Sequence, residues 1–479
     1  MVPSLLTDVK PFNATKIKPV LISGREVHPL IEGGKGIAVT NGESSGAFAA
    51  AGAVGTFSGV NADSYDEQGN ILPQHYYGKT RRERHFELIE HGIRGGVTQA
   101  KIAYDVAGGE GRIHMNVLWE MGGVEAIVEG IMDRAKGLIH GITCGAGMPY
   151  KVAEIAEHYN VYYYPIVSSM RAFRALWKRS FSKRSKLLGG VVYEDPWKAG
   201  GHNGLSNAED PLVPEDPYPR VVEIRKFMNE VGLNDVPIIM AGGVWHIAEW
   251  EHWLDNPDIG PVAFQFGTRP LLTQESPISD KWKQRLLTLR PGDVALNQFS
   301  PTGFYSSAVR NDFIDELYGR SERQIQFVTE QNAEFSETLL FGPRKRPIYV
   351  RPADKPKAEG WMAQGFDHML KTPDDTVIFV TEAKENQIVT DQIECMGCLS
   401  MCRFSNWSQN EAGTTGHKAD PRSYCIQKTL QHIAHSDKDI EEQLMFSGHN
   451  AFRFADDPFY ANGFIPTVKQ LVDRMMTGY

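Results

Sequence analysis

No apolar run in the 479 residues approaches the roughly 20 that a helix needs to cross a bilayer. The opening MVPSLLTDVKPF also lacks a basic start followed by a long apolar stretch, so neither a span nor a secretory leader is expected, and the reading is a cytoplasmic protein. Excess positive charge is missing: the net charge is −9, which argues against nucleic-acid partners. The one basic run, KRSFSKRSK from Lys178 to Lys186, reads as a solvated helix face. No repeat of fixed period is present. Cysteine is scarce, five in all, which leaves no disulfide framework in a cytoplasmic chain. Four of the five, Cys395, Cys398, Cys402 and Cys425, nevertheless fall in the last 85 residues, so they have a local purpose that Cys144 does not share.

What is present is an alternation. Eight short apolar segments bounded by Gly or Pro precede residue 270: HPLIEGG at 28, AVGTFSG at 53, RIHMNVLW at 112, LIHGITCGAG at 138, VYYYPIVSS at 161, GGVVYED at 189, VPIIMAGG at 236 and VAFQFGT at 262. Helix-compatible stretches lie between them, such as YKVAEIAEHY, with Val152, Ile155 and Ala156 on one face, and PYPRVVEIRKFMNEVGL, which opens on prolines and closes at Gly232. This predicts an α/β fold, a (β/α)8 TIM barrel, with a doubly wound open sheet as the alternative. The expected organisation is an N-terminal segment 1–20, a barrel over 21–290, connecting helices and an insertion over 291–390, and a cysteine-containing module 391–479 packed on the barrel. The Pro-, Lys- and Asp-rich stretch 340–375 reads as a surface insertion or linker.

In such barrels active-site groups stand at the carboxyl ends of the strands, and phosphates bind at the loops after the seventh and eighth. There the sequence places Gly242 and Gly243 in AGGVW and Gly267, Thr268 and Arg269 in GTRPLL. Their N–H groups, a hydroxyl and a cation suit a phosphate. Gly33, Gly34 and Lys35 in EGGKG and Gly145 in CGAG leave room above the barrel mouth for something flat, so a planar phosphate-bearing cofactor such as FMN fits. Asn116 and Ser168, at the ends of the third and fifth strands, are candidate hydrogen-bonding partners of a ring edge. His202 in KAGGHNG, among Gly200, Gly201 and Gly204, would face the cofactor and take a proton from a carbon acid. His114, His140 and His246 read as ordinary polar or core residues.

Cys395, Cys398 and Cys402 form a C-x2-C-x3-C turn, with Cys425 following in PRSYCIQ. A tight turn plus a distal ligand suits a [4Fe–4S] cluster. Zinc would also accept four thiolates, although its sites more often pair two C-x2-C knuckles.

PLIEGGKG, TCGAGMP, KAGGHNG, AGGVW and FQFGTRPLLTQES, in this order over residues 20 to 280, resemble the signatures of the nitronate monooxygenase (2-nitropropane dioxygenase) superfamily of FMN-binding TIM barrels, which includes flavin enoyl-ACP reductases. YPIVSSMRAFRALWKRS, SPTGF, the cysteine tail and FSGHNAFRF are similar to the branch of acyl-ACP dehydrogenase/isomerases that carry FMN with a [4Fe–4S] cluster. The resemblance implies His202 as catalytic base, the loops of Gly242, Gly243, Gly267 and Thr268 at the FMN phosphate, and Cys395, Cys398, Cys402 and Cys425 as cluster ligands. Lys35 stands where the family usually has Met, Cys144 where a small residue is commoner, and the first two cluster cysteines are one residue closer than in the relative. The implied activity is acyl thioester dehydrogenation with double-bond isomerisation. The alternatives are a nitronate monooxygenase, a flavin enoyl-ACP reductase, or a flavin and cluster redox sensor. The expected partner is a small-molecule or acyl-carrier-bound substrate, with room for an external electron acceptor and a homodimer, and with neither nucleic acid nor membrane.

Overall fold

The computed structural model describes residues 12–342, 344–435 and 438–479, so most of the expected segment 1–20 lies outside the described residues. Eight parallel strands close a barrel: β1 (Leu30–Glu32), β2 (Val54–Ser58), β3 (Arg112–Leu118), β4 (Gly141–Gly145), β5 (Tyr162–Val167), β6 (Val191–Glu194), β7 (Ile238–Ala241) and β8 (Val262–Phe266). Each falls inside one of the apolar segments marked in the sequence, and β8 returns to β1 in the register Phe264 to Leu30. Helices cover the outside, so both strand faces are buried and the segments read as continuous apolar runs. Ile31, Val54, Tyr164, Val192, Ile239 and Ala263 share one buried cluster with Ile22 and Val27 of the hairpin that precedes β1. That hairpin stops the amino-terminal end of the barrel, where the Ser23 hydroxyl lies 2.9 Å from Nε2 of His114. His114 is thereby buried structure, as its sequence setting implies.

The first six strands are followed by α1 (Gly42–Ala50), α2 (Arg81–Val106), α3 (Val124–Arg134), α4 (Val152–Tyr159), α5 (Met170–Arg179) and α6 (Pro217–Glu230). Local signals start them: Thr80 and Glu83 form a capping box on α2, and Asp216 caps α6 ahead of its prolines. The eighth helix position differs from expectation. The C-terminal helix Val468–Met476 buries Val468, Leu471, Val472 and Met475 and packs beside α1. The Gly478 carbonyl accepts from Ala248 N at 2.8 Å, next to the short helix that follows β7. Gln274 N donates to the Pro466 carbonyl at 2.9 Å, and the Glu275 carboxylate accepts from Val468 N at 2.9 Å. The chain thus leaves the barrel after β8 and its last helix returns to the same spot, beside α1.

Within this excursion β9 (Val294–Asn297) and β10 (Ser306–Val309) are antiparallel. The stretch expected as a surface insertion or linker carries strands and a small core of its own. β11 (Gln324–Gln326), β14 (His368–Lys371) and β15 (Thr376–Val380) form one sheet, and β12 (Glu337–Phe341) and β13 (Arg346–Val350) form a hairpin. Phe327, Leu339, Ile348, Val350, Met369 and Phe379 give it a core. Its apolar residues are spaced out among charges at exposed strand positions, which hides them in a composition count. No helix among the described residues is long and apolar enough to cross a membrane.

Candidate functional site

The carboxyl ends of the strands open into one cavity. Gly33, Gly34, Lys35, Asn116, Gly145, Gly201, His202, Gly242, Gly243, Gly267 and Thr268 all line it, as expected from their strand-end positions. Ser168 does not; its hydroxyl donates to the Gly204 carbonyl at 2.9 Å. The excursion supplies the roof, through Leu399, Ile426, Leu430, Leu444 and Phe446.

At one end Gly242 and Gly243 have φ of +85° and +78°, a left-handed pair that glycine alone adopts without strain. The N–H groups of Gly242, Gly243, Gly267 and Thr268 have no hydrogen-bond acceptor among the described residues. Four unpaired donors on two adjacent loops fit a phosphate. Arg269 does not join them. Its guanidinium turns away, donating to the Trp245 carbonyl at 2.7 Å and lying 3.8 Å from Asp457. A cation is available instead from Lys198, which lines the cavity with its stem against Gly243.

Next to this end the cavity floor is flat because side chains are missing. A Cβ on Gly34 would fall 2.2 Å from Cβ of Asn116. Two polar strand ends were not singled out in the sequence, Glu194 on β6 and Gln265 on β8. Both pair with Ala241 in the same register row, and neither side chain has a hydrogen-bond partner among the described residues. Burial, with Asp195 adjacent, pushes the Glu194 carboxyl up to about 8. Burial lowers Lys35 to about 8, partly offset by Glu32, and its ammonium donates to the Gly33 carbonyl at 2.8 Å.

His202 is held by pieces of the excursion. Gly201–His202 forms a two-residue strand on β10, paired at Ser306, and Nε2 lies 2.6 Å from the Ser300 hydroxyl. Ser300 in turn lies 2.9 Å from the Thr302 hydroxyl, and the Phe446 ring stands edge-on to the imidazole at 5.2 Å. Enclosure without a counter-charge lowers His202 to about 4, so it is neutral near pH 7. The tautomer sets the direction of this contact; in the one with Nε2–H donating to Ser300, Nδ1 carries the lone pair that can accept a proton. The motifs SPTGF, whose first residue is Ser300, and FSGHNAFRF, whose first residue is Phe446, were the signals for these supports.

The cysteine loop docks on the loops after β2 and β3. Gly122 N donates to the Cys398 carbonyl at 3.0 Å, and Asn61 donates to the Gln427 side chain at 2.7 Å. Cys398 lines the cavity. The four thiols converge: burial pushes Cys398 well up, with Cys425, Cys402 and Cys395 adding to it. Burial likewise raises Cys402 to about 11 and Cys425 to about 12. Among the described residues no group of three or more His, Cys, Asp or Glu is placed to hold a metal ion. Cys395 accepts the Ser405 hydroxyl at 3.0 Å. Cys144 is fully buried on β4 in the barrel wall.

A family model described as Nitronate monooxygenase matches residues 131–476. Among solved structures the chain is similar to FabK from Thermotoga maritima, at 13% identity over 94% of this chain and 92% of that one, with a TM-score of 0.50. It is also similar to the enoyl reductase domain of MlnA from the macrolactin biosynthesis cluster of Bacillus amyloliquefaciens, at 11% identity over 94% and 93%, with a TM-score of 0.52. At these identities the two likenesses bear on the fold. A comparison with curated proteins gave no match.

Proposed function

We propose that this chain, which belongs to the nitronate monooxygenase family, is an FMN-dependent oxidoreductase that oxidises a nitroalkane, a carbon acid, by way of the nitronate that its deprotonation gives. The observation that carries the reading is a neutral, enclosed histidine at the strand carboxyl ends, in the same cavity as four unpaired N–H groups suited to a phosphate. Gly242, Gly243, Gly267 and Thr268 would hold the FMN phosphate, and the side-chain-free floor at Gly33, Gly34 and Gly145 would admit the ring. Bound FMN would supply an acceptor for the electron pair leaving the substrate carbon. His202 takes the proton from that carbon at Nδ1 while Ser300 holds Nε2–H. Lys35, a cation in the cavity, favours negative charge near it. Leu399, Ile426, Leu430 and Phe446 exclude water from the imidazole.

A second reading, acyl or enoyl thioester chemistry with the same base, is favoured by that apolar roof, which suits an acyl chain. The four cysteines are a proposal of their own. Their spacing supports a [4Fe–4S] cluster, while their placement closes no ligand set, so no step is routed through one. The deciding experiment is an anaerobic absorbance titration of the purified protein with nitroalkanes and nitronates, and separately with saturated acyl thioesters. Flavin bleaching by the nitro compounds alone supports the first reading, and bleaching by the thioesters alone replaces it with the second. Bleaching by neither would leave a redox sensor or carrier.

A further inference from the structure

The segment FSGHNAFRF comes from the far end of the excursion, yet it lies on the loops where the phosphate is read. Gly448 N donates to the Thr268 hydroxyl oxygen at 3.0 Å, and the Asn450 amide donates to the Gly243 carbonyl at 2.6 Å. His449 N donates to the Lys198 carbonyl at 3.2 Å, and Ser447 N donates to Ser307 at 3.3 Å, which extends the β10 pairing. The approach is close enough that a Cβ on Gly200 would fall 2.6 Å from Gly448 N. Ser447 itself is 1% exposed and lines the cavity beside Gly242, Gly243 and Thr268. Its hydroxyl has no hydrogen-bond partner among the described residues.

A buried hydroxyl left unpaired costs free energy that a protein seldom leaves uncompensated. The N–H groups of Ser447, Gly448 and His449 and the Asn450 amide nitrogen are paired within the protein, whereas Ser447 Oγ and the four loop N–H groups have no partner among the described residues. The unpaired groups are all donors and all border one end of the cavity, so a single anionic acceptor would satisfy them together.

We propose that Ser447 donates its hydroxyl to the FMN phosphate, so that the C-terminal excursion completes the phosphate cradle of the barrel. The proposal rests on the reading that this end of the cavity takes the phosphate. Its consequence is that FMN holds the excursion against the barrel, and that riboflavin, which lacks the phosphate, cannot do so through Ser447.

The test is titration of FMN and of riboflavin into deflavinated parent protein and the Ser447→Ala variant, followed by flavin fluorescence quenching. Loss of one hydrogen bond to a charged group weakens FMN binding about ten- to a hundredfold and leaves riboflavin binding unchanged. Ser447→Thr, which keeps the hydroxyl, restores FMN affinity at least in part. Unchanged FMN affinity in Ser447→Ala overturns the proposal, as does an equal loss for both flavins, which would mean that Ser447 only supports the fold. A Gly243→Val control separates the underlying reading, because a β-branched side chain there meets Lys198, whose Cδ would lie 2.7 Å from the new Cβ. Parental FMN affinity in that control would refute the phosphate end itself, and the role of Ser447 with it.

Discussion

Replacing His202 by alanine removes the one imidazole among the described residues that lines the cavity, and the structure sizes what should follow. Enclosure lowers the group from 6.5 to about 4. That disfavours the charged ring by about 3 kcal/mol. Two results follow for the parent protein. Since the imidazole is neutral from about pH 5 upward, the single-turnover rate of flavin reduction should have no limb near 6.5, and any acid limb due to His202 should lie near 4. Folding stability should also carry a signature. The unfolded chain binds a proton at 6.5 and the folded one only near 4, so stability contributed by the neutral histidine is present above 6.5 and is lost as pH falls from 6.5 to 4. In His202→Ala that acid sensitivity disappears, FMN stays bound, and flavin reduction by substrate falls roughly 10²- to 10⁴-fold. Stopped-flow absorbance with flavin occupancy and melting temperature measured on the same preparation reads all three. Parental reduction in the variant would refute the base role, and a limb near 6.5 that vanishes with His202 would refute its enclosure.

Ser300→Ala should slow flavin reduction about five- to tenfold, the worth of one orienting hydrogen bond, with FMN retained and with Ser300→Thr recovering rate; an unchanged rate would mean that Ser300 does not position the base. Glu194 has the opposite linkage sign to His202. Its carboxyl is raised to about 8, so the folded state binds the proton more tightly and stability falls as pH rises from 4.5 to 8; Glu194→Gln should flatten the fall in melting temperature across that window, and an unaltered slope would mean the carboxyl is solvated. Gly34→Ala should yield folded protein depleted of FMN, because the new methyl meets Asn116 at 2.2 Å; full flavin occupancy would show that the loop yields. Metal analysis of anaerobically purified protein should find about four irons with acid-labile sulfide if the cysteines carry a cubane, whereas one zinc would identify a structural knuckle.

The strands of the barrel were legible in the sequence because a parallel strand under helices is an unbroken apolar run, and Gly or Pro ends each one. Strand ends also locate the cavity, so Gly33, Gly242, Gly267 and His202 could be placed before any coordinates. Glu194 and Gln265 sit at equivalent ends but look like ordinary polar terminators, and only closure of the barrel puts them in one row beneath the cavity. Ser300, Phe446 and Ser447 lie roughly 100 to 250 residues from the glycines and the histidine they meet, and no periodicity carries information over that distance. The C-terminal helix reads as amphipathic from its residues, but its place as the eighth barrel helix follows from which groove its apolar face fills. Arg269 shows the converse: the sequence puts a cation beside the phosphate loop, and the packing of Trp245, Tyr460 and Asp457 draws it into the interior. Local chemistry therefore determined the barrel and the glycine-lined mouth, because both depend on neighbours in the chain. The roof over the mouth, the partner of the histidine and the direction of each buried charge depend on contacts between distant segments, and only the tertiary structure decided them.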